Sequence, residues 1–372
     1  MPTNTPILLC RYVAKGGRQV AITRLTLNNF RSYQDQVFTL DPSVTLIVGP
    51  NGSGKTNILE ALYVLATTKS FRAKDEALVQ QGSDVLRVEA TSDEADYRFA
   101  YQKQPTVAKK VTHNGVKKSL RGHIGTVPVV LFEPGDLQLL AGPPSARRAY
   151  IDTILCQTDP DYLQALNEYK RALKQRNALL RNHDYILADI LFAWNVQLAG
   201  PAIIIRTKRQ EFITYLQTKL PSLYAAIAGK DHEISINYQP NPEPATLNEA
   251  ELLSRLEASA QRDSMAGFTT LGPHRDDLVV MFDGHHIDAR ASRGEHRSVV
   301  LALKLAELEY QNEFARSQPI FMLDDVFSEL DTYRRGFLLE AIGDYQTIVT
   351  TTEADAVRDK NYYTINLGES HE

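Results

Sequence analysis

The run Gly49-Pro50-Asn51-Gly52-Ser53-Gly54-Lys55-Thr56 has the GxxxxGK[ST] spacing of a loop that wraps a phosphate chain. The chemistry needs these residue types. Glycines let successive backbone N–H groups turn inward, and the following helix adds its positive end to the same anion. Lys55 supplies a point charge, and the Thr56 hydroxyl is suited to a magnesium ion carried on the phosphates. A second acidic element is Ile320-Phe321-Met322-Leu323-Asp324-Asp325, an apolar stretch ending in two carboxylates. Asp324 is expected beside the magnesium ion, with Thr56. Asp325 stands where an acid lines up a water on the terminal phosphate. Adjacent aspartates also cap helices, so this pair takes its meaning from the glycine-rich run upstream.

These side chains work only if one sheet edge gathers them. The apolar run Val44 to Val48 reads as a strand ahead of the glycine-rich turn, with a helix from Lys55 to about Ala66 behind it, and Ile320 to Leu323 reads as a buried parallel strand. Ile22, Leu25 and Leu27 mark an earlier strand. Between Val85 and Phe132 lie short β-like runs, with Asn114-Gly115 as a two-residue hairpin turn. From Ser145 to about Gly267 the apolar period becomes helical, an arm expected to be kinked or divided at Pro201 and Pro221. Thereafter Leu278 to Met281 turns at Asp283-Gly284, a helix runs from Arg293 to about Arg316, and Thr347 to Val349 forms a last strand.

The chain has 372 residues, 43% hydrophobic and 23% charged, with a formal net charge of -4 and a mean hydropathy of -0.29. That size predicts two packed units of ordinary globular composition. The negative balance gives no general attraction to nucleic acid, so any such surface must be local. The longest strongly apolar runs, Val127 to Phe132 and Ala202 to Ile205, fall short of a membrane span. Two cysteines, Cys10 and Cys156, without metal-ligand spacing fit a reducing, cytoplasmic setting. Residues 1–20 lack the charge order of a signal peptide and are expected to be a disordered extension.

Ser292-Arg293-Gly294-Glu295 opens the later helix. Locally it is a capping box, Ser292 at the cap and Glu295 three residues on. The same capped, electropositive end also suits a phosphate. Between Tyr97 and Phe132 there is no acidic residue, and Lys109, Lys110, Lys117, Lys118 and Arg121 make the hairpin a candidate for contacting DNA phosphates. A charged edge that merely blocks strand-to-strand aggregation is the competing reading. Lys170, Lys174 and Arg181 follow one face of an arm helix, with Arg171 nearby. Most such faces are only solvated.

The order of Phe30-Arg31-Ser32-Tyr33, the glycine-rich loop, Ser70-Phe71-Arg72, Gly272-Pro273-His274-Arg275-Asp276-Asp277, the Ser292 helix start and Leu323-Asp324-Asp325 through Asp331 closely resembles the RecF family of bacterial recombinational repair proteins, within the ABC/SMC-like ATPases. Arg147-Arg148 after Gly142-Pro143-Pro144-Ser145 also fits. The resemblance runs from about Ala21 to the C-terminus. It implies an α/β fold, an ABC/SMC-type P-loop ATPase head of mixed sheets and helices, with an inserted helical arm. The expected division is 21–145 and 266–372 for the head and 146–265 for the arm.

The resemblance further implies ATP and Mg²⁺ as ligands, DNA as a partner, at single-strand/double-strand junctions or as duplex, an ATP-dependent homodimer, and cooperation with RecO, RecR and RecA in the cytoplasm, close to the nucleoid. Ser292, Gly294 and Glu295 then form a signature that meets the γ-phosphate on the opposite subunit. Ser328 and Asp331 belong to the D-loop, and Thr350 stands at the place of a γ-phosphate sensor. Asp325 is one methylene shorter than the glutamate usual in ABC enzymes, so hydrolysis is expected to be slow. Rival readings are another SMC/ABC-like ATPase or a small-molecule P-loop kinase, which has no use for the signature or D-loop.

Overall fold

A computed structural model describes residues 20–181, 188–244, 246–341, 345–352 and 362–368. Apart from Val20, the expected N-terminal extension lies outside them. The elements in chain order are β1 (Ile22–Phe30), β2 (Tyr33–Thr39), β3 (Val44–Val48), α1 (Lys55–Thr67), β4 (Val85–Ser92), β5 (Asp96–Gln102), β6 (Ala108–His113), β7 (Val116–Lys118), α2 (Leu120–His123), β8 (Val129–Phe132), α3 (Pro144–Thr158), α4 (Pro160–Arg181) and α5 (Ala188–Ala228). They continue through β9 (Ile234–Gln239), α6 (Glu249–Ala258), α7 (Ala260–Ala266), β10 (Asp277–Phe282), β11 (His285–His286), α8 (Ile287–Arg290), α9 (Arg293–Phe314), β12 (Ile320–Asp324), α10 (Thr332–Ala341), β13 (Thr347–Thr351) and β14 (Tyr363–Asn366).

Two compact units result. Of the described residues, the first comprises those within Met1–Leu137, Leu223–Lys230 and Arg297–Glu372, the second those within Gln138–Ser222 and Asp231–His296. In the first, a parallel sheet runs β14-β3-β13-β12-β8. Of its three inner strands, β12 and β13 are buried at every position and β3 at all but its last, as expected of strands covered on both faces. An antiparallel sheet, β2-β1-β4-β5-β6-β7, alternates cleanly: Leu86, Val88, Ala90, Tyr97, Phe99 and Tyr101 are buried, while Arg87, Arg98 and Lys110 are exposed. One core joins its inner face to α1 and the parallel sheet through Leu25, Leu27, Ile58, Leu62, Ile320 and Ile348. Asn114 and Gly115, at φ 48° and 75°, make the tight turn between β6 and β7.

The second unit packs helices against the sheet β11-β10-β9. Its interior is unusually polar. Arg176 and Asp263, both fully buried, pair at 2.8 Å. Arg206 meets buried Asp276 at 3.1 Å, and Arg209 meets Asp152 at 2.8 Å. Of the two outcomes expected at Pro201 and Pro221, division does not occur: α5 runs through both as one helix. Leu198, Ala199 and Ala202 beside one proline, and Leu220, Leu223 and Tyr224 beside the other, are buried, and packing outweighs the local penalty. As a single helix, α5 is long and apolar enough by composition to cross a membrane, with a window of mean hydropathy 1.3, which the short runs had concealed. Its buried Arg206 and Arg209 are paired inside the unit, the setting of a core helix.

Candidate functional site

Strand β3 delivers the glycine-rich loop to the C-terminal edge of the parallel sheet, where Gly49 N–H donates to Thr351 O at 3.3 Å. Two glycines have conformational reasons to be there. Gly54 has φ +100°, and a Cβ on it would sit 2.5 Å from the Tyr33 hydroxyl; one on Gly49 would sit 2.5 Å from Leu367 O. Helix α1 then starts with no capping side chain and no acid in its first turn, leaving its positive end to an outside anion. Lys55 is buried, and its Nζ donates to the carbonyls of Gly49 and Pro50 at 2.7 and 3.0 Å. Ser53 Oγ and the Tyr33 hydroxyl are buried without a hydrogen-bond partner among the described residues, and burial pushes the Tyr33 phenol up to about 12.

Register brings the acidic strand alongside. Asp324 lies opposite Thr350 on β13, and its Oδ1 accepts from Thr350 Oγ1 at 2.7 Å and from Thr56 Oγ1 at 2.9 Å. Thr56 and Asp324, far apart in sequence, are thus one oxygen-donor pair. Magnesium is commonly held by one or two carboxylates together with substrate phosphates, and this hard hydroxyl–carboxylate pair beside the loop fits that ion. Asp325 follows in the left-handed region at φ 51°, an uncommon conformation for a residue other than glycine. Its N–H donates to both Thr350 O and Thr350 Oγ1. Thr350 is fully buried, so its hydroxyl braces the two aspartates.

Sequence reasoning missed two glutamates here. Glu133 follows β8, whose Phe132 pairs with Leu323, so register sets it next to Asp324. Burial, with Asp136 and Asp324 adding repulsion against Lys304, raises its carboxyl to about 7. Only the strand pairing identifies it. Glu60, on α1, is fully buried. It accepts from Arg31 Nε and Nη2 at 2.8 and 2.7 Å, from Arg72 Nη2 at 2.8 Å and from Ser70 Oγ at 2.6 Å. Arg72 also reaches Asn57, one residue past Thr56. The Phe30–Tyr33 and Ser70–Arg72 strings are therefore clamps on the phosphate-loop helix. A lone acid among the apolar residues Ile58, Leu59, Ala61 and Leu62 was the available signal.

Ser328, in a 3₁₀ turn after β12, donates to Asp325 O at 2.7 Å. Asp331 accepts from Arg334 N–H at 2.9 Å at the start of α10. In the second unit, Ser292 and Glu295 form the reciprocal capping box, Ser292 N–H to Glu295 Oε2 at 2.7 Å and Glu295 N–H to Ser292 Oγ at 3.4 Å, with Gly294 in the same first turn of α9.

The basic hairpin is not one surface. Alternation sets Lys109 and Lys110 on opposite faces of β6. Lys109 turns inward, donating to Thr68 O at 2.6 Å and pairing with Asp75 at 2.8 Å, so it is withdrawn from the expected DNA-contacting group. Lys110 lines an outer depression of about 450 Å³ with Arg87, Arg98 and Thr112, and Lys117 pairs with Thr112 across the hairpin. Lys118 and Arg121 are exposed on β7 and α2. Arg87 was missed.

Residues 21–126 match the family described as the RecF/RecN/SMC N terminal domain. The chain is 38% identical over 363 residues to the DNA replication and repair protein RecF of Halalkalibacterium halodurans, covering 90% of this chain and 94% of that one. It is 36% identical over 343 residues to RecF of a Synechococcus species, covering 88% and 90%. Among solved structures, the recombination mediator protein RecF with ATP in the RecFOR pathway superposes with a TM-score of 0.83 at 28% identity, covering 91% of this chain and 93% of that one. An Smc head bound to the C-winged helix domain of ScpA shares the fold, with a TM-score of 0.53 at 16% identity and 90% of each chain covered.

Proposed function

Because the chain belongs to the RecF family of DNA replication and repair proteins, we propose that it is an ATP-operated clamp that dimerises on gapped or junction DNA. The meeting of Thr56 with Asp324 at 2.9 Å, beside the loop of Gly49 to Thr56, carries this reading. Gly49, Pro50, Asn51, Gly52, Ser53 and Gly54 wrap the phosphates, and Lys55 turns its ammonium from the loop carbonyls toward them. Thr56 and Asp324 hold the Mg²⁺, which when bound offsets the charge of the phosphates. Asp325, fixed through its own N–H by Thr350, orients the attacking water. Thr350 acts by keeping the two carboxylates in place.

Ser292, Gly294 and Glu295 of a second copy close over the terminal phosphate from the N-terminus of α9, and Ser328 and Asp331 line the same junction. Hydrolysis is slow and DNA-stimulated, and resets the dimer. Lys110, Lys117, Lys118 and Arg121, now with Arg87 and Arg98, offer contacts to DNA phosphates. The RecFOR setting of the superposed RecF structure supports RecO and RecR as partners, and loading of RecA in the cytoplasm, at the nucleoid, is part of the same proposal.

Molar mass by light scattering, with ATP and a gapped duplex, tests the clamp in the wild type, Lys55→Met and Ser292→Arg. Dimers lost in both variants support a shared site. Monomers throughout, or dimers that persist in Ser292→Arg, would overturn it.

A further inference from the structure

A second surface, on the arm unit, has the build of a nucleic-acid track. The string Gly272 to Asp277 is held from inside at nearly every residue. A Cβ on Gly272, at φ +125°, would lie 2.4 Å from the Tyr169 hydroxyl. His274 Nδ1 meets Tyr169 Oη at 2.6 Å and His274 Nε2 meets Thr269 O at 3.0 Å. Asp276 is fully buried between Arg206 and Tyr238, and Asp277 pairs with Arg147 at 2.8 Å. Arg275 is the exposed side chain of the string. Its guanidinium sits 4.7 Å from the centroid of the Phe268 ring, itself 40% exposed, and Met265 close by in sequence is 79% exposed. So braced a loop fixes an aromatic–guanidinium pair at the surface.

Helix α4 leads to this pair. Asn177 Oδ1 accepts from both Thr269 N–H and Thr269 Oγ1, tying the helix to the residue after Phe268, and Arg181 Cγ lies 4.0 Å from where a Gly267 Cβ would be. At 3.6 residues per turn, Lys170, Lys174 and Arg181 fall on one stripe about 16 Å long, with Arg171 at its margin and no acid within it. Arg171, Lys174 and Arg181 form no ion pair with any described residue, and Lys170 is 58% exposed with a 3.4 Å contact to Asp152. Cations in a row that end at a stacking platform match single-stranded nucleic acid, whose backbone is tracked by charge and whose unpaired bases stack on aromatic and arginine planes. A duplex keeps its bases inside and has no use for Phe268.

We propose that this face of the arm unit binds single-stranded nucleic acid, Lys170, Lys174 and Arg181 taking the phosphates and Phe268 with Arg275 stacking a base. The proposal rests on the DNA-clamp reading above and assigns it a single-strand surface. The test is fluorescence anisotropy of the full chain with ATP, on a labelled oligothymidylate and on a blunt duplex, across a salt series. The triple variant Lys170→Glu, Lys174→Glu, Arg181→Glu should lower the salt slope on the oligothymidylate by about 2, three contacts at roughly 0.7 each. Phe268→Ser should weaken it about 5- to 100-fold with the slope unchanged, and Phe268→Tyr should restore it. Circular dichroism and ATP binding confirm that each variant is folded. Wild-type slope and affinity in folded variants would overturn the proposal, as would equal losses on the blunt duplex. A wild type that binds no DNA at all would instead sink the clamp reading itself.

Discussion

Replacing Glu60 with glutamine removes one negative charge from the interior and leaves its shape. The carboxylate is fully buried and takes four hydrogen bonds, two from Arg31 and one each from Arg72 and Ser70. Hydrogen bonds to a charged group contribute about 1.5–3 kcal/mol each, but their sum overstates the loss, because Arg31 and Arg72 are 21% and 36% exposed and water can reach them. Removing one partner of a buried ion pair costs about 3–5 kcal/mol, and the partial exposure puts Glu60→Gln near the lower end, about 3 kcal/mol. Burial would raise this carboxyl, yet the bonds from Arg31, Arg72 and Ser70 outweigh it and hold it below the usual 4.5. Its stabilisation is therefore present above pH 4.5 and fades as pH falls through the lower folded value. Urea unfolding followed by circular dichroism, at neutral pH and in acid, gives both quantities, and a cycle with Arg31→Met gives the coupling. A loss under 1 kcal/mol at pH 7, or a gap between wild type and Glu60→Gln that persists in acid, would refute the reasoning.

Gly54→Ala places a Cβ 2.5 Å from the Tyr33 hydroxyl at a φ of +100°; nucleotide affinity by titration calorimetry should fall at least tenfold, and Tyr33→Phe should recover part of it. Thr350→Val removes the 2.7 Å bond to Asp324; the hydrolysis rate should fall about tenfold while nucleotide affinity changes less than threefold, measured by phosphate release and calorimetry. Asp263→Asn unpairs fully buried Arg176 and should cost the arm unit about 3–5 kcal/mol, read from emission of Trp194, the chain's one tryptophan. His113, hydrogen-bonded to His123 at 2.7 Å, is lowered from 6.5 to about 4 by burial and then by His123 and Lys118. The unfolded chain thus takes up a proton between pH 6.5 and 4 that the folded one refuses, so thermal stability should fall across that window, and less so in His113→Gln.

The phosphate loop, its strand and helix, the acidic strand and the β6–β7 turn were legible because each is a local pattern whose backbone demands name its residues. What stayed hidden was set by pairing across distance. Glu133 comes into the field of Asp324 through the β8–β12 register, and nothing in its own neighbourhood announces that. Lys109 and Lys110 are identical in sequence terms, and only the pleat separates a bridge to Asp75 from an outward cation. Pro201 and Pro221 left division of the arm helix open, but buried neighbours hold α5 together as one helix. Asp276 is fully buried against Arg206 and partly exposed Asp277 pairs with Arg147, both through residues distant in sequence.

The strand order β14-β3-β13-β12-β8 also dictates when the phosphate loop can exist. Both neighbours of β3 come from the far end of the chain, Thr347–Thr351 on one side and Tyr363–Asn366 on the other. A ribosome has therefore released Val44–Val48 long before either partner, and at 5–20 residues per second the wait is about 15–60 s. Throughout that interval an apolar strand keeps both edges open. The newborn chain needs shelter from its neighbours on the polysome, and a stop codon anywhere before β13 yields a loop of the right sequence with no sheet to hold it.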